Sequence, residues 1–176
     1  SVTGMTDLSR LSRHEVISQA LVNHTDSAQR VLYIFTPVLT NGAGQQTCPG
    51  TADTVDIWVE PVPRLAVAPG SDTLCDGASS ALVISSPTVP TLPVRFRYVI
   101  HPDHPASLIY NALVVSGKEN GDTLAENFVN LTDTVQRLVI EVTPYTITGT
   151  GAERCNGSPA SGEYWIEPTP RVSISH

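Results

Sequence analysis

Val129-Asn130-Leu131-Thr132-Asp133-Thr134-Val135-Gln136-Arg137 repeats Val22-Asn23-His24-Thr25-Asp26-Ser27-Ala28-Gln29-Arg30, with six of nine positions identical. The offset of 107 residues carries Leu21–Arg64 onto Phe128–Arg171 without a gap, and 17 of those 44 positions are identical. The shared residues continue through Thr36-Pro37/Thr143-Pro144, Gly42/Gly149, Gly44/Gly151, Cys48/Cys155 and Gly50/Gly157. They end at Trp58/Trp165, Glu60-Pro61/Glu167-Pro168 and Pro63-Arg64/Pro170-Arg171. A fixed period of this length marks a tandem array of small units. Upstream, Val2-Thr3-Gly4 resembles Val115-Ser116-Gly117 once the first copy is allowed a loop about six residues longer, which loop-closure entropy tolerates.

A unit of about 107 residues is the size of an immunoglobulin-like sandwich. Residues 1–63 then read as the C-terminal half of one repeat and residues 64–176 as a complete one. The fold class expected is all-β, with immunoglobulin-like β-sandwich repeats in tandem, one partial and one complete. The partial copy supplies too few strands to close a sandwich alone. Pro61-Val62-Pro63 and Pro168-Thr169-Pro170 close the two copies. Each ring fixes φ and biases its predecessor toward extended backbone, so the joints are short and stiff.

In the complete repeat, strands are expected at Leu65–Val67, Ala81–Ser85, Val94–Ile100, Leu108–Val115, Leu124–Leu131, Leu138–Val142 and Tyr164–Glu167. Val94, Phe96, Tyr98 and Ile100 alternate with Arg95, Arg97 and Val99, the period of a half-buried strand. In the last strand Trp58 and Trp165 fall on the same side as Asp56/Glu60 and Glu163/Glu167. A Trp on an acidic face either packs under a loop or neighbouring domain or offers a contact to a glycan or partner protein.

The composition supports strands and turns. Aromatic residues make up 6% and charged residues 15%, while 14 Pro and 12 Gly punctuate the whole length. A hydrophobic fraction of 40% provides for a core. The net charge is −7, and the ten basic residues, only one of them Lys (Lys118), form no stripe. Nucleic acid and direct membrane insertion are therefore not expected, and no apolar run reaches a membrane span. Ser1-Val2-Thr3-Gly4 does not open a signal peptide, so an export signal is expected outside these residues.

Several motifs together resemble the PKD-like repeats of Bacteroidetes surface proteins. They are Val115-Ser116-Gly117, the stretch Thr123–Asp133, Val139-Ile140-Glu141-Val142-Thr143-Pro144, Cys155-Asn156-Gly157 and Trp165-Ile166-Glu167-Pro168-Thr169-Pro170. Cys75-Asp76-Gly77 is similar to that family's opening motif. The Trp-Asp-Phe-Gly-Asp-Gly motif of ordinary PKD domains is absent. The resemblance implies an exported bacterial protein at the cell surface, as in the large adhesins of gliding motility and other multidomain products of type IX secretion. It implies location and architecture more than a ligand.

Of the three cysteines, Cys48 and Cys155 are repeat-equivalent. Pole geometry in a sandwich favours a Cys75–Cys155 disulfide, closing about 80 residues and contributing ~4 kcal/mol if unstrained. Cys48–Cys75 across the joint and three free thiols are the alternatives. Five of the nine Asp precede Ser or Thr and then an apolar residue, placing hydroxyls at Ser27, Thr54, Thr73, Thr123 and Thr134. The pattern resembles the Bacteroidetes O-glycosylation signal, although Asp-Thr is also ordinary turn chemistry at strand ends. Asn23-His24-Thr25, Asn130-Leu131-Thr132 and Asn156-Gly157-Ser158 match the N-glycosylation pattern, which the bacterial resemblance discounts.

No catalytic constellation stands out. His101-Pro102-Asp103-His104 is the best metal candidate, but its prolines preclude a helix, and it reads more simply as a turn. Arg30 and Arg137 are expected in cross-strand ion pairs. No cofactor and no metal are expected, and the chain is read as a non-enzyme. The leading expectation is a structural repeat of a long extracellular stalk or filament, partnered by neighbouring repeats and by surface proteins or glycans. The alternatives are a glycan- or protein-binding module using Trp58, Trp165 or the 145–160 loop, and an accessory domain of a larger exported enzyme.

Overall fold

The computed structural model describes residues 1–66 and 70–174, and they are all-β, the one helical element being a short 3-10 turn at Pro105–Ser107. They fall into two compact units on either side of the Pro61–Val62 bond.

In the first unit, β1 (Val2–Thr3) pairs antiparallel with β2 (Val22–Asn23). β3 (Gln29–Phe35) is followed by β4 (Val38–Thr40), β5 (Gln46–Pro49) and β6 (Asp53–Val59). β3 pairs antiparallel with β6, and β4 with β5. Val31, Tyr33 and Phe35 share one face of β3, as strand alternation requires. Only Val31 is buried; Phe35 is 37% and Ile57 40% exposed. Met5, Leu8, Leu11 and Ile17 approach β3 across a cavity of about 520 Å³, and the Tyr33 hydroxyl donates to Gln19 Oε1 at 2.8 Å.

The second unit is a two-layer sandwich of β7 (Asp72–Leu74), β8 (Leu82–Val83), β9 (Val94–Pro102), β10 (Leu108–Ile109), β11 (Val114–Lys118), β12 (Thr123–Leu124), β13 (Val129–Asn130), β14 (Gln136–Ile147), β15 (Glu153–Asn156) and β16 (Ala160–Ile166). The main sheet runs β11-β9-β14-β16-β7, with β15 continuing alongside the far end of β14. All its pairs are antiparallel except β16 with β7. The facing layer is made of short ladders, β8 with β12 and β10 with β13, plus a bridge between Ser79 and Asn127. Phe96, Tyr98, Ile100, Leu138, Ile140, Val142, Tyr164 and Ile166 from the main sheet meet Ile84, Leu108, Leu124 and Phe128 from the facing layer. This apolar interior, contributed by alternate residues of both layers, is that of an immunoglobulin-like sandwich.

The strands differ from expectation in instructive ways. The run Leu108–Val115 is two strands: β10 belongs to the facing layer and β11 to the main sheet, so the chain crosses between layers around Asn111. Leu124–Leu131 likewise divides into β12 and β13. The 145–160 loop is mostly a hairpin extension, because β14 runs on to Ile147 and β15 returns beside it. The expected strand at Leu65–Val67 lies partly outside the described residues. Leu65 packs on the core and the Ala66 N–H donates to Ser85 O at 2.7 Å, while the first strand beside the last is Asp72–Leu74.

This last difference corrects the expected disulfide. The described cysteines are all free. β7 lies parallel to β16 with Leu74 level with Ile166, which in turn pairs with Gln136. Cys75 therefore follows that strand, at the pole where β16 ends. Cys155 sits near the other end of β14, its N–H donating to Thr146 Oγ1 at 3.1 Å. Ten residues of strand separate the two levels, roughly 33 Å at the usual rise. Disulfide-linked Cα atoms lie within about 7 Å, so Cys75 and Cys155 cannot be joined.

Candidate functional site

The repeated Asn-x-Thr stretch builds the most highly connected polar site in each copy. In the second unit the Asn130 Nδ2 donates to Thr134 O at 2.8 Å and to Ile166 O at 2.9 Å. Its Oδ1 accepts from the Thr132 N–H at 2.9 Å and the Thr132 hydroxyl at 2.8 Å. In the first unit Asn23 Nδ2 reaches Ser27 O at 2.8 Å and Val59 O at 2.9 Å, with Thr25 supplying the same two donors. One amide thus closes the turn before β14 or β3 and ties it to the end of β16 or β6. All four hydrogen-bonding positions of that amide are used. Asn130 is 7% exposed, so neither its nitrogen nor its position suits glycan attachment. The sequence showed this motif as a glycosylation match; its signal as a clasp was the identical spacing in both copies.

Asp76 extends the clasp. It accepts from the Asn130 backbone N–H at 2.8 Å and from the Thr169 hydroxyl. The Thr169 bond, and after it the Asn130 N–H, hold the Asp76 carboxyl below its ordinary range. The chain leaving the sandwich is thereby fastened at the pole where β16 ends.

The outer face of the main sheet carries charge. Arg137 donates to Asp103 Oδ1 at 3.0 Å and to Glu163 Oε1 at 2.8 Å, and it faces Trp165 across the β14–β16 ladder. Arg137 keeps the Glu163 carboxyl below its ordinary value. Arg30, facing Trp58, grips both oxygens of Asp56 at 3.0 and 2.9 Å. Each of these arginines thus takes one carboxylate from the last strand of its copy, Asp56 or Glu163, and Arg137 takes Asp103 as well. Trp165 is half-buried and Trp58 is 59% exposed. Asp103 follows β9 and is taken by Arg137, while His101 and His104 are exposed. Among the described residues no three His, Cys, Asp or Glu side chains are grouped to hold a metal ion.

The five Ser/Thr candidates are all exposed but dispersed. Thr54 lies on β6, Thr73 on β7 and Thr123 on β12, while Ser27 and Thr134 occupy the clasped turns. Asp53 and Asp72 each accept from the next residue's N–H at 2.8 Å. The Ser27 and Thr134 hydroxyls each accept from the following Gln at 3.1 Å.

A buried acid was not anticipated. Glu126, 4% exposed, accepts a hydrogen bond from the Tyr98 hydroxyl across the sandwich, and its Oε2 has no partner. Burial, reinforced by Glu126, raises the Tyr98 hydroxyl well above its usual pKa.

These arrangements define an immunoglobulin-like β-sandwich fastened by polar clasps. Neither a family model nor a curated protein matches the chain. Among solved structures, WR4, a C. elegans MSP family member, is similar with a TM-score of 0.35 and 11% identity, over 60% of this chain and 97% of that one.

Proposed function

We propose that this chain is a load-bearing structural repeat of a long extracellular surface protein, an adhesin stalk or filament, and not an enzyme. The observation that carries the reading is the parallel pairing of β7 with β16, Asp72 against Tyr164 through Leu74 against Ile166. The chain comes into this unit at one pole, where Pro63 lies over Gly157, and leaves at the other, where Thr169 bonds Asp76. Pulling on the two ends therefore slides β7 along β16. The ladder bonds, with that of Glu167 N–H to Leu74 O at 2.8 Å, share the load together rather than opening one by one. The expected result, with the full chain held by its ends in a force spectrometer, is one distinct rupture peak that Leu74→Pro lowers, because the backbone groups of Leu74 face β16 whereas the Thr73 N–H turns away to Asp72. An unchanged peak in that variant rejects the reading.

The resemblance to PKD-like repeats of Bacteroidetes supports a surface setting, with type IX secretion and gliding motility as its context. The exposure of Ser27, Thr54, Thr73, Thr123 and Thr134 suits O-glycosylation there. Intact mass of the native protein tests this; hexose-type increments support it and an unmodified mass rejects it. A second reading, contact with glycan or a surface protein, is favoured by the exposed Trp58.

A further inference from the structure

Three Asn-Gly dipeptides occur in the chain, Asn41-Gly42, Asn120-Gly121 and Asn156-Gly157. Each carries latent chemistry. The glycine nitrogen can attack the preceding amide carbon, and the missing Cβ leaves that approach open. All three asparagines are exposed, so exposure does not distinguish them. Their hydrogen bonds do.

In two of the three the attacking nitrogen is occupied. The Gly121 N–H donates to Ile84 O and the Gly157 N–H to Pro144 O, both at 2.8 Å. The Asn120 Oδ1 is turned to the Ser86 N–H at 2.8 Å, and Gly157 lies beneath the carbonyl of Pro63. The related Asp76-Gly77 pair is held likewise, its Gly77 N–H donating to Phe128 O at 2.9 Å. Gly42 differs. Among the described residues nothing accepts from its N–H, and a Cβ there would meet nothing within 4 Å.

The Asn41 amide is also activated. At the tip between β4 and β5 the Asn41 N–H donates to Gln45 O and the Gly44 N–H to Asn41 O, both at 2.9 Å. The Asn41 Oδ1 accepts from the Ala43 N–H at 3.1 Å and the Gln45 N–H at 2.9 Å, while Nδ2 donates to Gln45 Oε1 at 3.0 Å. Two backbone donors on one carbonyl oxygen are the arrangement that stabilises an oxyanion. The complete unit builds the same tip without this chemistry. There the Thr148 N–H donates to Ala152 O and the Gly151 N–H to Thr148 O, both at 2.9 Å, and the Ala152 N–H reaches Thr148 Oγ1 at 3.2 Å. A hydroxyl thus does the structural work of the amide and offers no carbon to attack. Gly42 and its counterpart Gly149 are both exposed, so the openness of the tip belongs to the hairpin itself.

We propose that Asn41 is a site of spontaneous covalent modification directed by the fold, and that backbone hydrogen bonds keep the other two Asn-Gly pairs inert. Hydroxide or water takes the Gly42 N–H proton as the nitrogen bonds to Asn41 Cγ. The Cγ–Nδ2 bond then breaks, ammonia leaves and a cyclic imide remains. Water opens the imide at either carbonyl, giving aspartate, or isoaspartate in which the chain runs through Cβ and Cγ. Either product adds a negative charge to a chain whose net charge is −7. Isoaspartate also lengthens the backbone at the tip and breaks the closure of Asn41 on Gln45.

The test incubates the full folded chain at mildly alkaline pH and maps its peptides by mass spectrometry, with fragmentation that separates isoaspartate from aspartate. Product is expected at Asn41 at least ~10-fold faster than at Asn120 or Asn156, since each blocked nitrogen must first give up a hydrogen bond. In urea the three rates are expected to converge, because those bonds are gone. Asn41→Thr, which copies Thr148, is expected to abolish product there without lowering the melting temperature. Gly42→Ala, with open space around its Cβ, is expected to slow the reaction several-fold. Equal rates at the three sites of the folded chain overturn the proposal. So does product appearing first at Asn120 or Asn156, or none at Asn41 while the urea-unfolded chain reacts.

Discussion

Arg30 faces Trp58 in the ladder of β3 with β6, and Arg137 faces Trp165 in that of β14 with β16. Register is the same throughout, yet Leu138, Ile140 and Val142 are 0% exposed while Phe35, the counterpart of Val142, is 37% exposed. Pairing is thus specified locally, by alternation along two adjoining strands and by the clasp at their base. Burial is specified from elsewhere, by Phe96, Tyr98 and the facing layer, which the first unit does not present. A ladder and a core are separable properties of the same sequence pattern.

The sharpest way to break this comparison is to remove one inward apolar side chain from each ladder. Ile140→Ala is expected to cost about 2–5 kcal/mol by urea unfolding, since it leaves a cavity in a closed interior. Phe35→Ala is expected to cost less than ~1 kcal/mol, because its surroundings already admit water. Equal losses would show that the first unit's interior is as closed as the second's.

The clasps should show a smaller contrast. Asn130→Ala takes the amide away from Ile166 O and the Thr132 N–H, while Thr134 O keeps its bond from the Thr132 hydroxyl, and is expected to cost about 3 kcal/mol. Asn23→Ala is expected to cost less, its groups being nearer solvent. Hydrogen exchange of the Thr132 and Thr25 amides reports each clasp separately.

Tyr98→Phe removes the hydrogen bond to Glu126 and is expected to destabilise the second unit by about 1–3 kcal/mol, with no counterpart in the first. Thermal unfolding of the single variants and of Tyr98→Phe with Glu126→Leu checks it: the double variant should recover part of the loss.

The smallest effect is in pH. Asp76 has its folded pKa lowered by Thr169 and Asn130. The stability it contributes is complete above the ordinary carboxylate pKa and is lost as pH falls through the lowered folded value. Asp76→Asn should flatten that acid limb, read as melting temperature against pH, while leaving the neutral plateau nearly level.

Much of the fold was legible in the sequence. The 107-residue offset located equivalent strands, and the alternation of Val94–Ile100 and Leu138–Val142 placed their faces correctly. What was not legible depended on the third dimension. Leu108–Val115 reads as one apolar run, yet it changes layers at Asn111, and periodicity does not report which sheet receives a strand. The Cys75–Cys155 pairing failed because Cys75 follows the strand laid parallel to β16, so it reaches the opposite pole. Asn130 and Asn23 looked like surface sequons, since an amide's partners, the carbonyls of Ile166 and Val59, come from a distant strand. Trp58 and Trp165 lie on the charged outer face as expected, but their different exposure depends on surroundings the repeat pattern does not carry.

The partnership of β7 with β16 has a consequence for how such a chain is made. The first and last strands of a unit lie side by side, so the ladder between them waits on the final residues to be synthesised. Contacts of such long sequence separation form late and slowly. During vectorial synthesis a growing array would then hold finished units behind one unfinished unit. In the tandem array proposed above, that spacing in time would keep like strands of neighbouring repeats from being exposed together, when they could exchange partners.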